Sequence, residues 1–111
     1  MTKVISYVQE GKILDFTNNT GNDIGYRDVI VSGNRIFISG ENIENGAMGS
    51  VDTEGVFELP ADNTVVFDFG DTLYWDTTKG VVTKTSTNNA KAGFAANFKT
   101  QASGTAAVKI G

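Results

Sequence analysis

The sequence predicts an all-β fold, a compact small β-barrel or sandwich of short antiparallel strands and hairpins. Two observations carry this prediction. Short runs rich in β-branched and aromatic residues recur along the chain, and turn signals separate them about every 8–12 residues. The 111 residues are enough for one domain with its own core. We expect an N-terminal arm or edge strand at 1–10 and a single β domain at 11–111.

The centre of the predicted domain is formed by Gly55–Pro60 and Phe69–Asp76, two short apolar runs. The first run must end at Pro60 or lie at a sheet edge, because proline has no N–H to donate to a ladder. Gly70 and Asp71, near the start of the second run, are typical turn residues. We predict that five side chains of these runs form the core: Val56, Phe57, Leu59, Leu73 and Trp75.

The clearest local pattern is a hairpin over residues 28–39, with Gly33-Asn34 as a two-residue turn. This turn gives the hairpin one wholly aliphatic face, which we expect to be buried: Val29, Val31, Ile36 and Ile38. The opposite face pairs Ile30 with Phe37 inside a polar frame. An isolated apolar pair indicates either a second buried layer or part of a contact surface, and the pattern leaves both open.

Further strands are expected before and after this hairpin, which gives about nine to eleven strands in all. A four-residue loop would place Trp75 opposite Val82 in a second hairpin. The segment around Phe94 could pass for a short helix, but Gly93 and its β context favour a strand. The additional ranges are 3–9, 12–17, 48–51, 65–69, 73–76, 81–84, 92–98 and 106–110.

A weak repeat relates the two halves of the chain. Each half contains an aspartate, a β run, a turn, a second β run, a segment with Gly next to Ala, and a further strand. Internal duplication is therefore a hypothesis of the sequence.

Composition excludes several classes of function. The chain has neither cysteine nor histidine, so it lacks disulfides, a thiolate nucleophile and the commonest general base and metal ligand. Nine basic residues are scattered against thirteen acidic ones, and the net charge of −4 argues against nucleic-acid binding. No apolar stretch is long enough for a membrane span or a signal peptide, so we expect synthesis in a cytoplasm.

Two weaker alternatives involve side-chain clusters. Asp68, Asp71 and Asp76, with Glu58, could hold a cation or act as acid and base, but aspartates beside glycine usually form turns. Tyr7, Tyr26 and Tyr74, with Phe37, could form a stacking or sugar-binding surface, although aromatic residues serve cores more often. The residues alone therefore indicate a binding or structural protein without a catalytic site, a metal or a cofactor.

Four segments carry a resemblance to a known family: Tyr7–Gly11, Gly55–Pro60, Gly70–Asp76 and Gly80–Thr83. With GVFELP followed by GDTLYWD, the sequence resembles the DUF2190 family of small capsid decoration (cement) proteins of tailed phages and prophages. The resemblance runs from residue 7 to the end of the chain. One departure is Arg27-Asp28, where the family usually has Gly-Asp.

The resemblance implies a homo-oligomer, most often a trimer, which binds the major capsid protein on the outer surface of the expanded head. We predict that the N-terminal arm clamps the capsid by adding a strand to a sheet edge of the capsid protein. Ile30 and Phe37 are the predicted oligomer contact. The alternative function is a non-catalytic carbohydrate or host-surface binding module on the virion. The arm consists of Thr2, Lys3, Val4, Ile5, Ser6, Tyr7 and Val8.

Overall fold

Nine β-strands and no helix are present in residues 9–111, the part of the chain that the computed structural model describes. This confirms the all-β prediction. The strands are β1 Ile13–Thr17, β2 Val29–Ser32, β3 Arg35–Ser39, β4 Met48–Asp52, β5 Gly55–Pro60, β6 Thr72–Asp76, β7 Val81–Thr83, β8 Ala90–Ala95 and β9 Thr105–Ile110.

All nine strands belong to one compact sheet that is not closed. In the first half of the chain, β2, β3, β4 and β1 pair in that order, and every pair is antiparallel. In the second half the order is β7, β6, β8, β9 and β5, again antiparallel throughout. A single parallel bridge, Arg35 to Lys91, joins β3 to β8 and thereby links the two halves.

The hairpin of β2 and β3 has the register that the sequence predicts, with Val31 opposite Ile36 and Ile30 opposite Phe37. Gly33 has a φ of 62°, whereas Asn34 is not among the residues with positive φ. This combination is typical of a type II′ turn, whose twist matches that of the flanking strands. The second predicted hairpin is also present, with Trp75 opposite Val82.

Two apolar clusters form the interior of the described residues. The larger one contains Leu59 and Leu73 of the predicted core motif, and Phe57 and Trp75 pack against it while half-buried. The smaller cluster consists of Ile24, Ile30, Ile43 and Val51, with Leu14, Phe16 and Phe37 packed against it. The Ile30–Phe37 pair is therefore a second buried layer, one of the two interpretations that the sequence left open.

Three sequence predictions need correction. Val31, predicted to be buried with Ile36 and Ile38, is 41% exposed, because no described strand covers the outer edge of β2. Val56 is 60% exposed, because it alternates with Phe57 and Leu59 along β5 and lies on the outer face. The predicted strand at 65–69 is absent. Only Phe67 forms a bridge there, to Lys99, and Phe69 is 74% exposed in the turn that follows.

The internal repeat appears in the backbone hydrogen bonds. Ile24 exchanges two hydrogen bonds with Ile43, and Phe67 exchanges two with Lys99 at the equivalent position. A β-turn capped by its own final aspartate follows each of these residues: Asp28 Oδ2 accepts the Gly25 N–H, and Asp71 Oδ2 accepts the Asp68 N–H. The two halves therefore share one plan, in which β1 to β4 correspond to β5, β6, β8 and β9.

One strand breaks this correspondence. The turn between β2 and β3 has two residues, whereas the connection from β6 to β8 is long and contains β7. β7 pairs with the edge of β6 that faces away from β8. The first repeat has no counterpart of β7 among the described residues, so the matching edge of β2 carries no strand there.

Candidate functional site

The most exposed aromatic side chains of the second repeat come from two adjacent segments. Phe69 is 74% exposed, Phe98 57% and Phe94 40%. Their segments are held together by the hydrogen bond from Gly70 N–H to the Ala95 carbonyl, 2.8 Å, and by the Phe67–Lys99 bridge. We call Phe69, Phe94 and Phe98 the phenylalanine surface.

The outer face of β5, β9 and β8 adjoins this surface. The register aligns Val56 with Lys109 and Lys109 with Phe94, so the three side chains form one row across the strands. Glu58 and Phe98 line a neighbouring shallow groove. The result is an apolar area that contains one lysine, Lys109, between Val56 and Phe94, and has Glu58 beside it. Such a mixed composition is typical of contact surfaces.

The first repeat shows that the fold does not require an aromatic residue at the position of Phe98. The position of Phe98 is occupied there by Asn42, whose Oδ1 accepts the N–H of Tyr26 at 2.8 Å. Tyr26 is itself the counterpart of Phe69, and the Arg27 guanidinium lies 4.9 Å from the centre of its ring. The same backbone is thus built with a polar anchor in one repeat and with exposed phenylalanine in the other.

The sequence pattern does not predict the phenylalanine surface, although β8 contains a signal. Ala92 and Ala95 point inward and are buried, while Phe94 points outward. A strand that places alanine in the core and phenylalanine outside reverses the usual distribution. That reversal becomes visible only when the face of each residue is known.

A second concave feature follows the edge of β2 that no strand of residues 9–111 covers. This groove has a volume of about 660 Å³ and lies between the two repeats. Its apolar lining includes Val29, Val31, Pro60 and Trp75, and its rim carries Asp23, Asp28, Glu58 and Arg27. Arg27 is paired with Asp52 at 2.8 Å, so carboxylates dominate the charge of the rim.

Ile30 and Phe37, the predicted oligomer contact, lie within the smaller core cluster. Ile30 is 4% exposed and offers little surface to another chain, whereas Phe37 is half-buried. The predicted capsid-binding arm, residues 2–8, lies outside the described residues, as does Tyr7 of the tyrosine cluster. Tyr74 is half-buried in β6 and Tyr26 belongs to the other repeat.

Two of the three aspartates considered as a cation or acid–base site, Asp71 and Asp76, serve turns instead. Asp71 accepts the Asp68 N–H at 2.8 Å and pairs with Lys84 at 3.4 Å, and both interactions hold its pKa below the usual range. Asp76 accepts the Lys79 N–H at 3.1 Å. Within residues 9–111 no three potential metal-ligating side chains come together.

One buried charge has no equivalent in the first repeat. Lys99 is 4% exposed, and its Nζ donates to the carbonyls of Thr100, Gln101 and Ser103 at 2.8, 3.2 and 3.1 Å. The ammonium also lies 4.9 Å from the centre of the Phe67 ring. Because all these partners are neutral oxygens or a ring face, Lys99 braces the turn before β9 and does not form a reactive centre.

Comparison with known protein families gives a match over residues 8–110, to the family described as phage cement protein. The chain belongs to the phage cement protein family. The resemblance noted in the sequence is thereby confirmed. The family is structural and not a known enzyme family, and membership implies association with the phage capsid and a location on the virion.

Searches of curated proteins and of solved structures gave no significant match to this cement protein. No helix that could span a membrane occurs in residues 9–111.

Proposed function

We propose that this cement protein binds the outer surface of the phage head through its phenylalanine surface and stabilises the expanded shell. The observation that supports this proposal is the exposure of Phe98, next to the exposed Phe69, at a position where the first repeat uses a hydrogen-bonded Asn42. Exposed phenylalanine that the fold does not need is best explained by a partner that covers it.

The mechanism is additive burial of apolar surface across the seams between capsid subunits. Burial contributes about 25 cal/mol per Å², and a fully buried phenylalanine side chain contributes roughly 1.5–3 kcal/mol. Each contact is modest, but many copies on one shell act together, and an oligomer gains further through effective concentration. No chemical step is required.

The partner that we propose is the major capsid protein, and the cement protein acts as a homo-oligomer, a trimer by the family resemblance. Synthesis in the host cytoplasm would precede docking on the assembled head. The capsid clamp predicted for residues 2–8 remains a prediction from the sequence. Lys109 and Glu58 border the phenylalanine surface and would fix its orientation on the capsid.

The test is co-sedimentation with expanded heads and with compact procapsids. We expect the wild type to bind expanded heads, and Phe69→Ser with Phe98→Ser to weaken that binding about 10-fold or more, since each loss amounts to more than about 1 kcal/mol. The matched control is Tyr26→Ser, which removes the equivalent exposed ring of the first repeat.

Equal binding by the double variant and the wild type, with unchanged thermal stability, would refute the assignment of this surface. Failure of the wild type to bind any head would refute the function itself. If Tyr26→Ser weakens binding as much as the double variant does, the contact is spread over both repeats and the proposed asymmetry is wrong.

A further inference from the structure

The edge of β2 that faces the groove offers backbone hydrogen-bonding groups to another strand. Ser32 and Arg35 close the two-residue turn, so alternate residues of β2 exchange bonds with β3. By this alternation the N–H and C=O groups of Val29 and Val31 point away from β3. Among residues 9–111 no strand pairs with them.

The second repeat shows what such an edge accepts. There β7 lies antiparallel on β6, with Trp75 opposite Val82 and Tyr74 opposite Thr83. Val82 is completely buried and Thr83 is 6% exposed, and Ala61, after β5, bridges to Val82 on the other side. The place beside β6 is therefore filled by a strand of three residues, two of them β-branched and apolar, with a hydroxyl residue third.

The groove of the first repeat is the matching place. Its walls are β2 and the segment after β1, from Thr20 to Ile24. In the same way, β7 lies between β6 and the segment after β5. An incoming strand there would hydrogen-bond to Val29 and Val31 and cover the half-buried Trp75.

We propose that the N-terminal segment Thr2–Val8 of a second copy occupies this groove as a strand antiparallel to β2. Val4-Ile5-Ser6 has the same order of side-chain types as Val81-Val82-Thr83 of β7. Lys3 directly precedes it and complements the acidic rim formed by Asp23, Asp28 and Glu58.

A second copy is favoured over the same copy by the strand order. β1 lies at the opposite margin of the first repeat from β2, with β4 and β3 between them. A strand beyond β2 would lie four strand spacings, about 19 Å, from β1. With Thr2–Val8 in the groove, residues 9–12 alone would remain to span that distance, and four extended residues reach at most about 14 Å.

Donation of one segment from each copy to the next is a head-to-tail contact, which closes into a ring when the rotation allows it. The inference goes beyond capsid binding, because it concerns contacts between copies and involves none of the phenylalanine surface. The sequence predicts that residues 2–8 add a strand to a sheet edge of the capsid protein. The present inference gives the same segment a different partner, the β2 edge of a second copy of this protein.

The absence of cysteine permits a clean cross-linking test in the full-length chain. Ser32→Cys is combined in turn with Val4→Cys, Ile5→Cys and Ser6→Cys. Ser32 would form a non-hydrogen-bonded pair with the incoming strand, and the Cβ atoms of such pairs are the closest across an antiparallel ladder. Gln101→Cys, in an exposed turn of the second repeat, replaces Ser32→Cys as the control.

We expect one of the three pairs to form disulfide-linked oligomers at least 10-fold faster than the others and than the control. Cross-links only within one chain, or none, would overturn the proposal. So would a cross-link that forms only when capsid protein is present, because the segment would then bind the capsid and not a second copy.

A second measurement uses Val31→Pro, which removes an N–H that faces the groove and leaves the bonds to β3 intact. We expect a monomer by light scattering, with the circular dichroism spectrum unchanged, while Val31→Thr stays oligomeric. If the folded proline variant has the mass of the wild type, the free edge of β2 does not hold the oligomer together. Head binding by the phenylalanine variants is scored separately, so either proposal can fail alone.

Discussion

Replacement of Lys99 by methionine should destabilise the protein far more than replacement of any exposed lysine. The change keeps most of the aliphatic stem and removes the ammonium that donates to three carbonyls of the turn before β9. It leaves those carbonyls without their donor next to the fully buried Phe67. The first repeat carries Ile43 at this position and has no such turn brace.

The magnitude follows from the contacts. A hydrogen bond to a charged group contributes about 1.5–3 kcal/mol net, and a desolvated cation–π contact adds about 1–2 kcal/mol. The cost of burying the ammonium offsets part of this sum, and water can reach the carbonyls of the exposed Thr100 and Gln101 once the lysine is gone. We therefore expect a loss of about 2–4 kcal/mol, roughly 8–16 °C in Tm for a domain of this size.

The assay is urea unfolding followed by tryptophan fluorescence, since Trp75 is the only tryptophan and packs against the main cluster. The matched control is Lys84→Met, which removes a partly exposed ion pair with Asp71 at 3.4 Å that is worth at most about 1 kcal/mol. Equal unfolding midpoints for the two variants would show that the three carbonyl contacts contribute nothing and would refute the reasoning.

Three further outcomes are expected from local geometry. Gly93→Ala should lower the free energy of unfolding by about 2–4 kcal/mol in thermal denaturation, because the new Cβ would lie 1.9 Å from a backbone carbonyl oxygen of β9. Gly80→Ala has open space around the new Cβ and only the strain of a φ of 67°, so it should cost about 1 kcal/mol in the same assay. Asn18→Leu should cost about 2–4 kcal/mol in the same assay, because it removes the side-chain donor to two backbone carbonyls at 2.8 and 2.9 Å. The Thr64 hydroxyl lowers the pKa of Asp62, and the Ser50 N–H lowers the pKa of Glu41. The two ionised carboxylates therefore stabilise the fold above about pH 4–5, and this contribution is lost as the pH falls through the lowered pKa values. Urea midpoints should therefore be constant from pH 7 to 5 and fall near pH 3, and Asp62→Asn with Glu41→Gln should reduce that fall.

The sequence predicted those parts of the fold that local chemistry determines. A two-residue turn sets the register of β2 and β3, and the alternation in β9 identifies its buried residues. Alternation misled at Phe67, where the neighbouring turn ends pairing after one bridge. The face of β5 was also unpredictable in part, because three of its residues are apolar in sequence and only packing shows that Val56 points outward.

The candidate sites were less predictable for a physical reason. A lysine is exposed in most proteins, and only the turn carbonyls around it explain the burial of Lys99. Neither the exposure of Phe98 nor the free edge of β2 can be inferred from single residues. Both became apparent through comparison of the two repeats, which the sequence indicated only weakly.

The unequal loops of the two repeats also have a consequence for engineering. Because the second repeat accommodates a long insertion between β6 and β8, the same position in the first repeat, at Gly33-Asn34, is a natural place for a graft. A copy of the segment that contains β7, inserted there, would supply the missing strand from within the same polypeptide. In such a chain the inserted strand would hydrogen-bond to the outer N–H and C=O groups of β2. The chain would then be a single-copy scaffold on which foreign peptides could be displayed.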